Sequence, residues 1–215
     1  MIHLIGAVDD MAAAVRTRDG IVALVVDETV YVGLPVRTAP VPDLASLCRH
    51  DAAVIDLMAA CTVVPFQFGT VVSGAADLAE KLNGRGEHMR SLLKRLRGRR
   101  EVALRAGLAQ SHSGPDGSGS TGAGYLRALR EPDELTQLHQ ELAARAVDAL
   151  SAWDAPKRLL KASYLVDGAD VAAFAGAAAR RAAACPAVSA VSLTGPWAPY
   201  SFARLTASAP EVIRA

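Results

Sequence analysis

Gly117-Ser118-Gly119-Ser120-Thr121-Gly122 has the glycine spacing of a dinucleotide-binding turn and stands ahead of a helical pattern. Such a turn works only where its glycines directly follow a buried strand, because the pyrophosphate must reach the free N–H groups of the helix that starts there. Here a polar stretch containing His112 and Pro115 precedes the glycines, and no lysine follows as in a P-loop. Nucleotide chemistry is therefore not expected from this segment. The histidines are His3, His50, His88, His112 and His139, none at metal-ligand spacing with another histidine or with a cysteine pair. Cys48 and His50 lie two residues apart, which on a helix sends them to different faces. Each histidine is expected to be structural or at the surface. Ser163 and Ser201 lack a nucleophile-elbow setting, and no two carboxylates are spaced to act as acid and base. The expected sets of catalytic, cofactor-binding and metal residues are all empty, with no cofactor.

Lys94, Arg95, Arg97, Arg99 and Arg100 form the strongest run of charge. Without interleaved aromatics it reads as a solvated helix C-terminus, where cations also complement the helix dipole. The whole chain carries only +1 from 23 basic and 22 acidic residues, too little field to hold nucleic acid or a lipid membrane. No run of apolar residues reaches the length of a membrane span, and Asp9 and Asp10 interrupt the first apolar stretch before it could serve as a signal. Cys48, Cys61 and Cys185 are odd in number, with no Cys-x-x-Cys pair, so free thiols in a reducing, cytoplasmic setting are expected.

Recognition chemistry is concentrated elsewhere. Five of the ten aromatic side chains fall in two short segments, Pro65-Phe66-Gln67-Phe68-Gly69-Thr70 and Thr194-Gly195-Pro196-Trp197-Ala198-Pro199-Tyr200-Ser201-Phe202. The second joins a permissive glycine to two prolines of locked φ, so it presents its rings in one arrangement. Phe66 and Phe68 are expected to share one face of an extended strand, with Gly69 allowing a bulge or a close backbone approach. Either segment alone could be a well-packed strand end. Trp197 is expected to pack inward, since strand signals flank it, whereas an exposed Trp197 would suit a partner.

The elements that must position these segments follow from local pattern. His3–Val8, Ile21–Asp27 and Thr29–Leu34 read as strands, the last two close enough for a hairpin. Pro42-Asp43 opens a helix with Leu44, Leu47, Val54, Ile55 and Met58 near helical spacing, ending before Cys61. After a strand through Val72, Leu78, Leu82, Met89, Leu92, Leu93 and Leu96 mark one face of a helix that Gly84 and Gly86 bend or break. Glu101–Leu108 alternates as a strand. Residues 109–123 are rich in Gly and Ser and predict a flexible loop. Tyr125–Ala152 predicts a long helix with a break or fresh start at Pro132-Asp133, Arg158–Val166 a strand, Ala169–Ala184 an alanine-rich helix, and Val188–Thr194 a strand leading into the aromatic segment. A boundary near Gly98 divides an N-terminal domain, 1–97, from a C-terminal one, 98–215.

Together the two aromatic segments resemble the gas vesicle protein F/L family (GvpF/GvpL). Its members carry Pro-x-(Arg or Lys)-Phe-Gly-Thr after a helix and Thr-Gly-Pro-Trp-Pro-Pro-Tyr-Ser-Phe near the C-terminus. The matching positions here are Pro65, Phe68, Gly69 and Thr70, then Thr194, Gly195, Pro196, Trp197, Pro199, Tyr200 and Phe202. Gln67 stands at the usually basic position and Ala198 at a usual proline. Leu44–Val54, Gly124-Tyr125-Leu126 and Ala162–Val166 are similar to further parts of the family, so the resemblance covers nearly the whole chain. It implies two α+β domains, the C-terminal one a modified ferredoxin-like fold. It also implies a non-enzymatic accessory or minor structural protein that binds the major shell protein GvpA and other Gvp proteins during gas vesicle assembly. The alternative is a ferredoxin-like small-molecule sensor or enzyme with a pocket under the 109–123 loop.

Overall fold

The computed structural model describes residues 1–108, 133–186 and 188–204. They form two compact α+β units, one comprising Met1–Gly98 and rejoined by the chain from Ala198, the other Arg99–Trp197.

The first unit starts with strand β1 (Ile2–Val8), helix α1 (Met11–Thr17), and the hairpin β2 (Val22–Val26) and β3 (Thr29–Pro35). Val26 faces Thr29 across a two-residue turn in which Asp27 and Glu28 both have positive φ, 48° and 60°. That backbone twist matches the twist of the paired strands. Asp10 caps α1 by accepting from the Ala13 N–H at 2.8 Å, so the acidic pair that stops the first strand also starts a helix that the apolar pattern does not predict. Helix α2 (Leu44–Ala60) is capped by Asp43, whose carboxylate accepts from the Ser46 N–H at 2.7 Å. Strands β4 (Val63–Pro65) and β5 (Val71–Val72) follow, then helices α3 (Ala75–Leu82) and α4 (Gly86–Leu96). The expected helix breaks where Asn83 and Gly84 turn left-handed, at φ 48° and 73°.

The antiparallel sheet runs β2-β3-β1-β4, with β5 also pairing β1. A register shift between Leu4 and Gly6 brings Ile5 and Val8, three apart, into one cluster with Val32, Ala53, Val54 and Leu57. Alternation places Leu4 and Val64 opposite, beneath α3 and α4, whose Leu78, Leu82, Met89, Leu92, Leu93 and Leu96 are all buried. The inward face of α2 differs from the expected one. Leu44, Leu47 and Ile55 are exposed, while His50, Ala53, Val54, Leu57 and Met58 face the sheet. The alanine and the histidine fit close to β1, so the helix turns that stripe inward rather than its most apolar one.

The second unit contains β6 (Arg99–Leu108), α5 (Asp133–Ala143), β7 (Asp148–Asp154), β8 (Leu159–Asp167), α6 (Val171–Ala183) and β9 (Val188–Trp197). Its antiparallel sheet runs β7-β8-β6-β9. Even-numbered residues of β6 and β8, from Val102 to Ala106 and Leu160 to Val166, pack against Leu135, Leu138 and Leu142 of α5 and Phe174 and Ala178 of α6. Both helices therefore cover the same face. Two expectations are corrected here. The long helix predicted to reach Ala152 ends at Ala143 among the described residues, and Asp148–Asp154 is a strand registered from Asp148↔Leu165 to Asp154↔Leu159. Pairing with β8 seats Ala149 and Trp153 against the core, and this overrides the helix preference of an alanine-rich stretch. The chain from Ala198 was also expected to stay with the C-terminal domain. Instead Ala198 joins the cluster of Ile5, Val32 and Leu57 in the first unit, where a small apolar residue completes the packing. The expected loop at 109–123 lies outside the described residues.

Candidate functional site

Pro65 is the buried last residue of β4. Beyond it the chain does not continue as a strand. It turns, and the two phenylalanines part company: the Phe66 ring meets Tyr31 edge-on at 6.1 Å, whereas Phe68 points an edge at His3 (5.2 Å) and His50 (5.7 Å). The expectation that the two share one strand face is thereby corrected. The turn is closed by the Thr70 hydroxyl, which donates to the Gln67 carbonyl at 2.7 Å. Gly69 adopts φ +85°, the left-handed region that disfavours side chains.

The segment is tied to β1 by its backbone, with the Leu4 N–H donating to Thr70 O at 2.8 Å and the Phe66 N–H donating to Ile5 O at 2.9 Å. Two histidines hold it as well. The Gly69 N–H donates to His3 Nε2 at 3.2 Å, and His50 Nε2 lies 3.1 Å from the Phe66 carbonyl. The two imidazoles stack with centroids 5.0 Å apart, and burial lowers both from the usual histidine value. No spacing rule could pair these histidines, because only the packing of α2 on β1 brings them together.

On its outer side the same segment forms one wall of an open groove of about 570 Å³. The floor is apolar, built from Leu4, Val64, Val72, Leu78, Leu82 and Met89. Gln67, Thr70, Lys81, Tyr200 and Arg204 stand around it. Lys81 is held by Asp77 at 2.9 Å and by the Val71 carbonyl at 3.0 Å. Burial, with the Asp51 carboxylate second, pushes the Tyr200 phenol up to about 12. Both aromatic segments therefore reach this groove, the first through Pro65, Phe66, Gln67 and Thr70, the second through Tyr200.

The profile of the family described as gas vesicle synthesis protein GvpL/GvpF matches residues 5–114 and 125–204. The chain belongs to the GvpL/GvpF family. Its fold is similar to that of the crystal structure of the gas vesicle protein GvpF from Anabaena sp. PCC7120, with TM-score 0.78 at 17% identity, over 95% of this chain and 96% of that one. Gas vesicle protein GvpF from Microcystis aeruginosa is similar with TM-score 0.74 at 17% identity, over 94% of this chain and 98% of that one. No curated protein sequence matches the chain.

The second family segment divides between the units. Thr194, Gly195, Pro196 and Trp197 end β9, and the Gly195-Pro196 peptide is cis. Trp197 is 43% exposed, which corrects the expectation that it packs inward. Its indole N–H donates to the Thr194 hydroxyl at 3.1 Å, and the ring lies at the end of a strand that both helices leave largely uncovered. Gly195 has φ +127°, and a Cβ there would come within 2.8 Å of the Glu101 carbonyl oxygen. Pro199 and Phe202 are buried in the first unit with Ala198. Ala198 thus fills a closed position. Gln67, at the usually basic place, is exposed beside the groove.

Among the described residues no group of three His, Cys, Asp or Glu side chains is placed to hold a metal ion, and no helix is long and apolar enough to cross a membrane. The three cysteines are free, and burial raises the Cys61 thiol to about 11. A thiol held protonated in this way is a poor nucleophile.

Proposed function

We propose that this GvpL/GvpF member is a non-enzymatic assembly protein of gas vesicles that works in the cytoplasm and at the vesicle, binding the major shell protein GvpA and other Gvp proteins. The observation that carries this reading is the open groove of the first unit, whose floor is aliphatic and whose edge gathers residues of both family segments. A groove of this size and lining suits the side chains of an apolar protein segment better than a reacting small molecule, since its few polar groups form no acid-base pair. We further read the second unit as a modified ferredoxin-like domain. Its β-α-β-β-α-β element order and its strand order support this. A sensor or enzyme would need a polar pocket beneath residues 109–123, and nothing among the described residues favours one.

Capture of the purified chain by GvpA tests the proposal. Replacing Gln67 with Trp and Arg204 with Glu crowds the groove mouth and reverses a rim charge without touching the buried floor. Capture should fall at least tenfold while the melting temperature holds. Unchanged capture by a folded double variant would exclude the groove.

A further inference from the structure

We propose that His3 and His50 form a proton-operated latch on the Phe66–Gly69 segment, closed while both imidazoles are neutral and released when either takes a second proton.

The hydrogen bonds assign the tautomers. His3 Nε2 receives the Gly69 N–H at 3.2 Å, and a nitrogen that accepts carries no proton, so the proton of neutral His3 resides on Nδ1. His50 Nε2 faces the Phe66 carbonyl at 3.1 Å, which can only accept, so Nε2 carries the proton and Nδ1 is bare. That bare nitrogen is buried and has no hydrogen-bond partner among the described residues. The two rings are each only 5% exposed.

A second proton has no favourable place on either ring. On His3 it would occupy Nε2 and set an N–H head-on against the Gly69 N–H, removing the bond that holds the end of the segment. On His50 it would put a charge on buried Nδ1 with no acceptor to receive it. A charge on one ring also opposes a charge on the other, stacked 5.0 Å away. The groups facing the pair from each packed element are few. Burial lowers His50 and outweighs two groups that favour its protonation, the Phe66 carbonyl facing Nε2 and the Asp51 carboxylate of helix α2. Strands β3 and β5 set Leu34 and Val71 beside His3, and the turn itself brings Phe66 and Phe68, none of them charged. With little counter-charge, the pair relieves an added proton by letting the segment go.

The consequence reaches beyond local stability. Phe66 and Gln67 form part of the groove wall, so opening the latch dismantles that wall while the β-sheet and its helices stay folded. This inference rests on the histidine geometry alone and stands whether or not GvpA is the occupant of the groove.

Nitrogen-15 NMR on the full chain tests it in two parts. At pH 7.5 the side-chain nitrogen shifts should report a bare Nε2 on His3 and a bare Nδ1 on His50, and the opposite tautomers would overturn the latch. Amide exchange at Gly69, corrected for the intrinsic pH dependence of exchange, should lose at least tenfold of its protection between pH 7.5 and pH 5, while core amides such as Val32 and Leu57 keep theirs. The His3→Gln/His50→Gln double variant retains an acceptor for Gly69 and a donor for Phe66 but cannot titrate. Its Gly69 protection should therefore be the same at both pH values. Protection of Gly69 in the unmodified chain that does not change with pH, or a double variant that loses protection as the unmodified chain does, would refute the proposal. If the double variant does not fold, the tautomers and the Gly69 exchange of the unmodified chain decide the matter.

Discussion

The two family segments look alike as sequence, each a glycine among aromatics and prolines, yet they are used in opposite ways. Pro65–Thr70 is held from several sides, by backbone bonds to Leu4 and Ile5, by the two histidines, and by its own Thr70 to Gln67 closure. Thr194–Trp197 is held by its pairing with β6, and among the described residues its indole bonds within the segment, to Thr194. The first segment shapes a cavity wall, and the second displays a ring. Family residues concentrated in one motif need not serve one purpose: a motif can carry a packing anchor and a display surface side by side. Phe202 and Trp197 show this within nine residues of chain, one 4% exposed and the other 43%.

That contrast is most exposed to test at the two rings. Phe202→Ala empties a closed site in the first unit and should cost about 3–5 kcal/mol, read by denaturant or thermal unfolding. A cost under about 1 kcal/mol would mean the ring is not part of the core. The two glycines come next. Gly195→Ala meets both positive φ and the Glu101 carbonyl oxygen 2.8 Å from the new Cβ, so a loss of about 2–3 kcal/mol is expected. Gly69→Ala has the positive φ but open space around the Cβ, and the cost should stay near the about 1–2 kcal/mol of a left-handed residue alone. Equal losses at the two positions would show that contact with Glu101 does not matter.

Acidification should weaken the first unit through the histidine pair. Both His3 and His50 are lowered in the folded state by burial, so between their folded values and the ordinary histidine value the unfolded chain binds more protons. Stability is therefore full above the ordinary value and declines as pH falls from it towards the folded ones. His139, whose ring meets the Tyr164 hydroxyl at 3.1 Å in the second unit, is lowered by burial too and adds a loss of the same sign there. Chemical denaturation of the unmodified chain and of the His3→Gln/His50→Gln variant at pH 7.5 and pH 5 isolates the part due to this pair, and a variant with the full pH loss would show that His3 and His50 do not carry it. Trp197→Ala should have the smallest effect on folding, about 1 kcal/mol or less, because the residue is exposed at the end of its strand and fills no closed site. Its effect on GvpA capture is the sharper reading. A drop of tenfold or more beside unchanged melting would make the displayed ring a binding anchor, and no change in either would remove Trp197 from both roles.

Much of the local architecture is legible in the order of residues alone. The hairpin of β2 and β3, the Asp43 helix start, the helix break at Gly84 and the strand over Glu101–Leu108 all follow from signals within a few residues, and local backbone preference decides each of them. The family is legible too, because the order of residues in the two segments is itself what identifies it. Three features are decided only by the assembled fold. Asp148–Asp154 is a strand because β8 offers it seven paired positions, a long-range gain that exceeds the helix preference of its alanines. Trp197 faces outward because the chain leaves the second sheet at that residue and enters the first core only at Ala198. His3 and His50 lie 47 positions apart in sequence and meet because α2 packs across β1, which no periodicity within either element encodes. Local signals settle where elements begin and end, since they act through neighbouring backbone dihedrals and hydrogen bonds. Which side chains then face one another depends on register and packing across the whole unit.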